Sequence, residues 1–255
     1  MKIKVMSFNM RMATEKDGNN SFWSRKEKIL KTLAAESPDV IGFQEITDEM
    51  LAWLKTSLND YYVLGHGRSS NYRGEAVPVA YRREFFDLHS YRTEWLSADP
   101  ACAGSRLEGL DQSPCPRMYV CAELRHKECD RPFAFFNVHT DHQGELARIA
   151  ETTQLCRALH QTRFGFVLVG DFNAKPDSKS IAVITSTAAT LGTRDITSHI
   201  KGTFHGFLGE VGDKKIDYIF TNLPSEPDSG YAVLDDDAEG YYYSDHHALC
   251  AYVEI

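Results

Sequence analysis

The stretch that decides the fold is FVLVGDFNAKP, Phe166 to Pro176. Phe166 to Val169 is apolar and rich in β-branched residues, as a strand buried on both faces should be. The run breaks at Gly170, presents Asp171 and Asn173, and is barred from regular continuation by Pro176. A core strand that ends by aiming a carboxylate and a carboxamide beyond its carboxyl end suggests a site at the edge of a sheet.

The same ending recurs along the chain. IKVMSFNM carries Asn9, and DVIGFQE ends in Gln44 and Glu45. PFAFFNVHTDH delivers His139, Asp141 and His142, while KKIDYIF places Asp217 among apolar neighbours. YYYSDHHAL sets Asp245 and His246 before the last strand. Polar residues at one strand end serve turn chemistry as readily as function. Six coincidences in one chain point to loops converging at one end of the sheets.

Between these strands the helical period appears. WSRKEKILKTLAAES places Ile29, Leu30, Leu33 and Ala34 on one face, with Ser24 and Glu27 spaced as a capping box. TDEMLAWLKTSL carries Met50, Leu51, Leu54 and Leu58, and Thr47 suits its cap. Further helices are expected over ELARIAETTQLCRALH and SKSIAVITST, and further strands over YYVLG, VPVAYRR, YVCAELRH and HHALCAYVEI. The segment 95–118, rich in Pro, Gly, Ser and Cys, is long enough to act as a lid or binding loop. No linker or internal repeat interrupts the pattern, which reads as one α/β domain over 1–255.

Bulk composition excludes little. The chain has 255 residues, 42% hydrophobic and 25% charged, with formal net charge −8. That charge disfavours broad, non-specific grip on long nucleic acid, which depends on neutralising phosphates. The amino terminus lacks an apolar secretory core and no run reaches membrane-spanning length, so a cytoplasmic location is expected and no membrane partner. The six cysteines form no Cys-x-x-Cys pair. Cys121, Cys156 and Cys250 read as core thiols, while Cys102 and Cys115 share a loop and would pair only in an exported protein.

Carboxylates with Asn oxygens are hard ligands that suit Mg²⁺, or Mn²⁺, over Zn²⁺. One carboxylate, Glu45, would anchor the ion. A second, Asp171, would orient or deprotonate an attacking water. A histidine with an acidic partner, as His246 with Asp217, would stabilise an oxyanion. Together these describe phosphoester hydrolysis.

In that order, SFNMR, GFQEIT, NVHTDH, VGDFNAKP, KIDYIF and SDHHAL resemble the endonuclease/exonuclease/phosphatase superfamily. DGNNSFWSRKEKIL, GHGRSSNYRGEAVPVAY, WLSADP and GTFHGF are closer to a bacterial branch of poorly defined substrate. The resemblance implies a four-layer α/β sandwich of two packed, mostly antiparallel sheets flanked by helices. It implies Glu45 as principal Mg²⁺ ligand with Asn9 and Asp245 near the metal. Asp171 would position or activate water, and Asn173 would hold that water or the phosphate. His139 would bond a phosphate oxygen, and His246, paired with Asp217, would stabilise the transition state. Asp141, His142 and Arg148 would border the phosphate or only shape the loop. Arg68, Glu75, Trp95 and His205 belong to loops expected near the pocket, in contact with substrate or merely structural.

Rival readings remain. NVHTDH falls one residue short of the His-x-His-x-Asp-His pattern of metallo-β-lactamases, with Asn137 in place of the first histidine. The preferred substrate is a small phosphorylated molecule in a pocket narrowed by the 96–117 loop. The alternative is a nuclease acting on DNA or RNA, for which Phe22, Trp23, Trp95 and Tyr241–Tyr243 would supply stacking rings. A non-catalytic binding protein on the same scaffold is the third.

Overall fold

The computed structural model of the protein describes residues 1–129, 131–235 and 241–255. The chain enters through β1 (Lys2–Asn9), a 3-10 turn, α1 (Phe22–Glu36), β2 (Val40–Gln44) and α2 (Asp48–Ser57). It continues through β3 (Tyr61–Leu64), β4 (Val79–Arg82), β5 (Phe86–Trp95), β6 (Met118–His126) and β7 (Pro132–His139). After α3 (Glu145–Gln161) come β8 (Gly165–Asp171), α4 (Lys179–Thr185), α5 (Ala188–Leu191), β9 (Arg194–Asp195), β10 (Asp217–Thr221), β11 (Tyr231–Val233) and β12 (Ala248–Glu254).

The strands form two six-stranded sheets, ordered β11-β12-β1-β2-β4-β3 and β5-β6-β7-β8-β10-β9. Among the described residues each has a single parallel pair, β1 with β2 and β7 with β8, joined in each case by one α-helix. The other pairs are antiparallel. The two sheets thus repeat one plan.

The inner faces pack on each other through Val5, Val40, Val79, Phe135, Val167, Val169 and Leu249. On the outer face of the first sheet, Met6, Phe8 and Phe43 meet Phe22, Ile29, Leu33, Met50 and Leu54 of α1 and α2. On the second, Phe136, Phe166 and Leu168 meet Leu155, Leu159, Ile181 and Ile184 of α3 and α4. Helix, sheet, sheet, helix is the four-layer arrangement expected. β2 and β8 read as continuous apolar runs because both their faces are covered.

Two local expectations need correction. β5 gives no strand signal in the sequence. It is an edge strand, exposed over its middle and bulged between Leu88 and Ser90, so its pattern lacks apolar alternation. The capping box at Ser24 does not form, because α1 starts three residues earlier in register: Ser21 is the N-cap. Phe22 is drawn into the core, its ring 5.2 Å from Trp53, and carries the helix start with it. Cys102 and Cys115 are unpaired; all six cysteines are free thiols.

The sheets approach closely at Gly42 of β2, where a Cβ would stand 2.4 Å from Val169 Cγ2 and 2.8 Å from the Asn137 carboxamide. Asn137 uses that gap. Its Nδ2 donates to the Phe43 and Pro78 carbonyls, and its Oδ1 accepts from Gln44 Nε2 at 2.6 Å. This cross-sheet bonding accounts for an asparagine where a metallo-β-lactamase would carry its first histidine. Gly42→Ala is expected to cost about 1–3 kcal/mol by overpacking. Urea unfolding would show it as a lower midpoint with unchanged slope.

Candidate active site

The register explains why the site residues meet. In the second sheet His139 is level with Asp171 across β7 and β8, and Asp171 with Asp217 across β8 and β10. Asp217 opens its strand while the others close theirs, yet β10 runs antiparallel, so all three share one edge. The first sheet brings Asn9 level with Gln44, with Glu45 next, at the ends of parallel β1 and β2. Asp245 and His246 precede β12, antiparallel to β1, and reach the same edge.

The backbone turns sharply there. Arg11, Glu45 and Asn173, each just past a strand end, have φ of 55°, 60° and 47°. Left-handed backbone costs a non-glycine residue on the order of 1 kcal/mol, and such strain gathers where side chains must be aimed. Gly170 has another reason: a Cβ there would lie 2.1 Å from the Val138 carbonyl oxygen of the parallel neighbour.

At the centre is Asp171, buried. Its Oδ2 accepts from Asn9 Nδ2 at 3.0 Å and its Oδ1 from the Asn173 amide at 2.8 Å. Asn9 Nδ2 also lies 3.2 Å from Glu45 Oε1, so one carboxamide links carboxylates of both sheets. Asn9 Oδ1 is taken by the Arg11 amide, and Glu45 Oε2 by the Met12 amide. His139 Nε2 lies 3.6 Å from Asp171 Oδ2. His246 Nδ1 is 2.8 Å from Asp217 Oδ2, leaving Nε2 3.9 Å from both Asp171 Oδ2 and Asp245 Oδ1.

Burial, then the neighbouring Asp217, pushes the Asp171 carboxyl up to about 7. Burial also raises Asp245. Burial pulls the His246 imidazolium down, but the Asp217 carboxylate outweighs it and holds the ring well above its usual value. His139 goes the other way: burial and then Arg117 keep it neutral. The site therefore pairs a charged imidazole with a neutral one.

Glu45, His139 and Asp171 can bring one donor atom each within 4.8 Å of one another, as can Asp171, Asp217 and His246. Glu45, Asp171 and Asp245 crowd one cleft, and after burial the neighbouring carboxylates add to the rise of Asp171. Arg11 answers part of their charge, 3.9 Å from Glu45 and 3.8 Å from Asp245, but is itself tied to Asp17. The donor set fits a hard divalent cation held at Glu45.

The cleft measures about 360 Å³. Glu45, His139, Asp171, Asn173, Asp245 and His246 line it, with Arg68, Glu75 and His142. Asn9 and Asp217 stand behind, bonded to that lining. Asp141, Arg148 and His205 do not line it. Asp141 is buried, accepting from the Ser113, Gln143 and Gly144 amides, and Arg148 donates to the Asp141 carbonyl. His205 packs behind, its ring 4.8 Å from Tyr242 and 4.6 Å from His247. Trp95 is buried and gives Nε1–H to the Arg68 carbonyl.

Sequence reasoning missed Arg11, Arg117 and Phe204, which also line the cleft. Arg11 has a readable signal, two residues after Asn9. Arg117 has none, because its long loop carries no period. Among the rings proposed for stacking, Phe22, Trp95, Tyr242 and Tyr243 are buried and none lines the cleft.

The chain matches the model of the endonuclease/exonuclease/phosphatase family over residues 6–246, and it belongs to that family. An uncharacterized protein, L388, of Acanthamoeba polyphaga mimivirus is 27% identical over 157 residues, 59% of this chain and 58% of the viral protein's length. Among solved structures, an endonuclease/exonuclease/phosphatase from Bacteroides vulgatus superposes with TM-score 0.87 at 25% identity, covering 100% of this chain and 99% of that one. A mannosyl-6-phosphatase of Bacteroides thetaiotaomicron gives 0.85 at 24% identity, over 99% and 100% of the two chains.

Asp217→Asn should return His246 to the neutral form at pH 7.5, read by ¹⁵N shifts of its ring. In the unchanged protein both nitrogens should show imidazolium at that pH. The raised His246 value means that the pair's stabilisation is complete below the unfolded value near 6.5 and is lost as pH rises through the folded one.

Proposed function

We propose that the protein is a divalent-metal-dependent phosphoesterase that hydrolyses a small phosphorylated substrate by water attack on phosphorus. The observation that carries this reading is Asp171: a buried carboxyl held near pH 7 at the meeting point of Glu45, His139 and the Asp217–His246 pair. A general base works best with a value near the operating pH.

Glu45, with Asp245 across the cleft, would hold Mg²⁺ or Mn²⁺, and Asn9 keeps Glu45 and Asp171 in register for it. Bound there, the cation would neutralise phosphate charge and ease departure of the leaving oxygen. Asp171 Oδ2 accepts the proton of the attacking water, while the Asn173 amide fixes the other carboxylate oxygen. His139, neutral, donates a hydrogen bond to a phosphate oxygen. His246, charged through Asp217, places positive charge opposite the oxygens that become more negative as the water–phosphorus bond forms and the ester bond breaks.

A small substrate is favoured by the size of the cleft and by the absence of the candidate stacking rings from its lining. The alternative, a nuclease, would need a strand-tracking basic groove, which a net charge of −8 does not favour. Among the described residues no helix is long and apolar enough to cross a membrane, and six free thiols suit the reducing cytoplasm.

The test is hydrolysis of a phosphomonoester, a phosphodiester and a labelled single-stranded oligonucleotide, with Mg²⁺ and with chelator. Activity should require the cation, favour the small esters, and fall by about 10²–10⁴-fold in Asp171→Ala. Chelator-resistant activity, or a variant as active as the parent, would overturn the reading.

A further inference from the structure

We propose that Arg117, His142 and Arg68 form a second oxyanion subsite in the cleft wall, so that the substrate carries another phosphate or carboxylate besides the scissile phosphate. This rests on the phosphoesterase reading and names the class of substrate within it.

Arg117 ends the long loop between β5 and β6 and lies 3% exposed in the wall beside His139. Among the described residues only its Nη2 has a hydrogen bond, 2.7 Å to His142 Nδ1; Nε and Nη1 are buried without a hydrogen-bond partner. The nearest carboxylate, Asp141, is 3.7 Å from Nε and already accepts from Ser113, Gln143 and Gly144. A buried guanidinium with spare donors is costly unless an acceptor completes it.

The bond to His142 has a further consequence. A guanidinium has no acceptor, so Nδ1 must accept and the ring proton sits on Nε2. Burial and Arg117 together lower the His142 value, which keeps that tautomer neutral. His142 is exposed at the lip and offers Nε2–H there as a fixed donor. Arg68, across the same wall, is held by Glu75 at 2.7 Å, which orients its guanidinium without using its other donors on that carboxylate. Arg68, Arg117 and His142 thus line the same cleft as His139, two guanidinium groups and an imidazole in one wall.

The probes are phosphonates, whose carbon–phosphorus bond resists hydrolysis, so that binding is read without turnover. Calorimetry with Mg²⁺ present would compare a series of alkane diphosphonates with phosphonoalkanoates and with the alkylphosphonate of the same chain. The best doubly charged ligand should bind about 10- to 100-fold more tightly than the single phosphonate. Whether it is a diphosphonate or a phosphonoalkanoate identifies the second group. Arg117→Met and His142→Ala should each shrink that ratio towards one. Should Arg117→Met fail to fold, the exposed His142→Ala decides alone. Equal affinity for singly and doubly charged ligands, or an undiminished ratio in His142→Ala, overturns the subsite. Neither outcome bears on the hydrolysis assay, which judges the underlying reading separately.

Discussion

One carboxamide holds this site together. Asn9 belongs to the first sheet and Asp171 to the second, and the Asn9 amide donates to Asp171 and to Glu45 at once. That bond is only as reliable as the separation of the sheets. The separation is set inside the sandwich by Gly42, which lets the strands approach, and by Asn137 and Gln44, which bond across the gap. Hydrogen-bonded buried amides fix a position more sharply than apolar packing does. The interior seam and the active edge are therefore one device.

The arrangement is costly, and the cost has a direction. Asp171 is pushed up to about 7 and His246 well above its usual value, so the folded state holds protons that the unfolded chain would release. Stability at this cluster falls as pH rises, from about 4 upwards for Asp171 and from about 6.5 for His246. Arg11 offsets part of the carboxylates' charge but is shared with Asp17. Strain at Arg11, Glu45 and Asn173 belongs to the same cost, because all three left-handed residues line the cleft.

The repeated plan of the two sheets makes the core of the site legible in sequence. Glu45 and Asp171 follow apolar runs that are unmistakable because β2 and β8 are covered on both faces. Asp217 and His246 are readable once strand direction is allowed for, since antiparallel strands bring their first residues to the edge where parallel ones bring their last. The periphery is different. β5 is a half-exposed edge strand, so no period marks it. Asp141 reads like His139 in sequence, yet its side chain is consumed by amides of its own loop and by that of Ser113 in the segment between β5 and β6. Arg117 arrives through a segment of 22 residues between β5 and β6 whose path depends on bonds such as Asp111 to the start of α3. Nothing local in the sequence encodes such a path.

The central claim is that the cluster around Asp171 is built to exchange a proton for a divalent cation. Calorimetric titration of Mg²⁺ into the metal-free protein at pH 7, repeated in buffers of different ionisation enthalpy, measures cation uptake and proton release together. Binding accompanied by release of a substantial fraction of a proton, lost in Asp171→Asn, is the expected result. Binding with no proton released, or no binding at all, would contradict it.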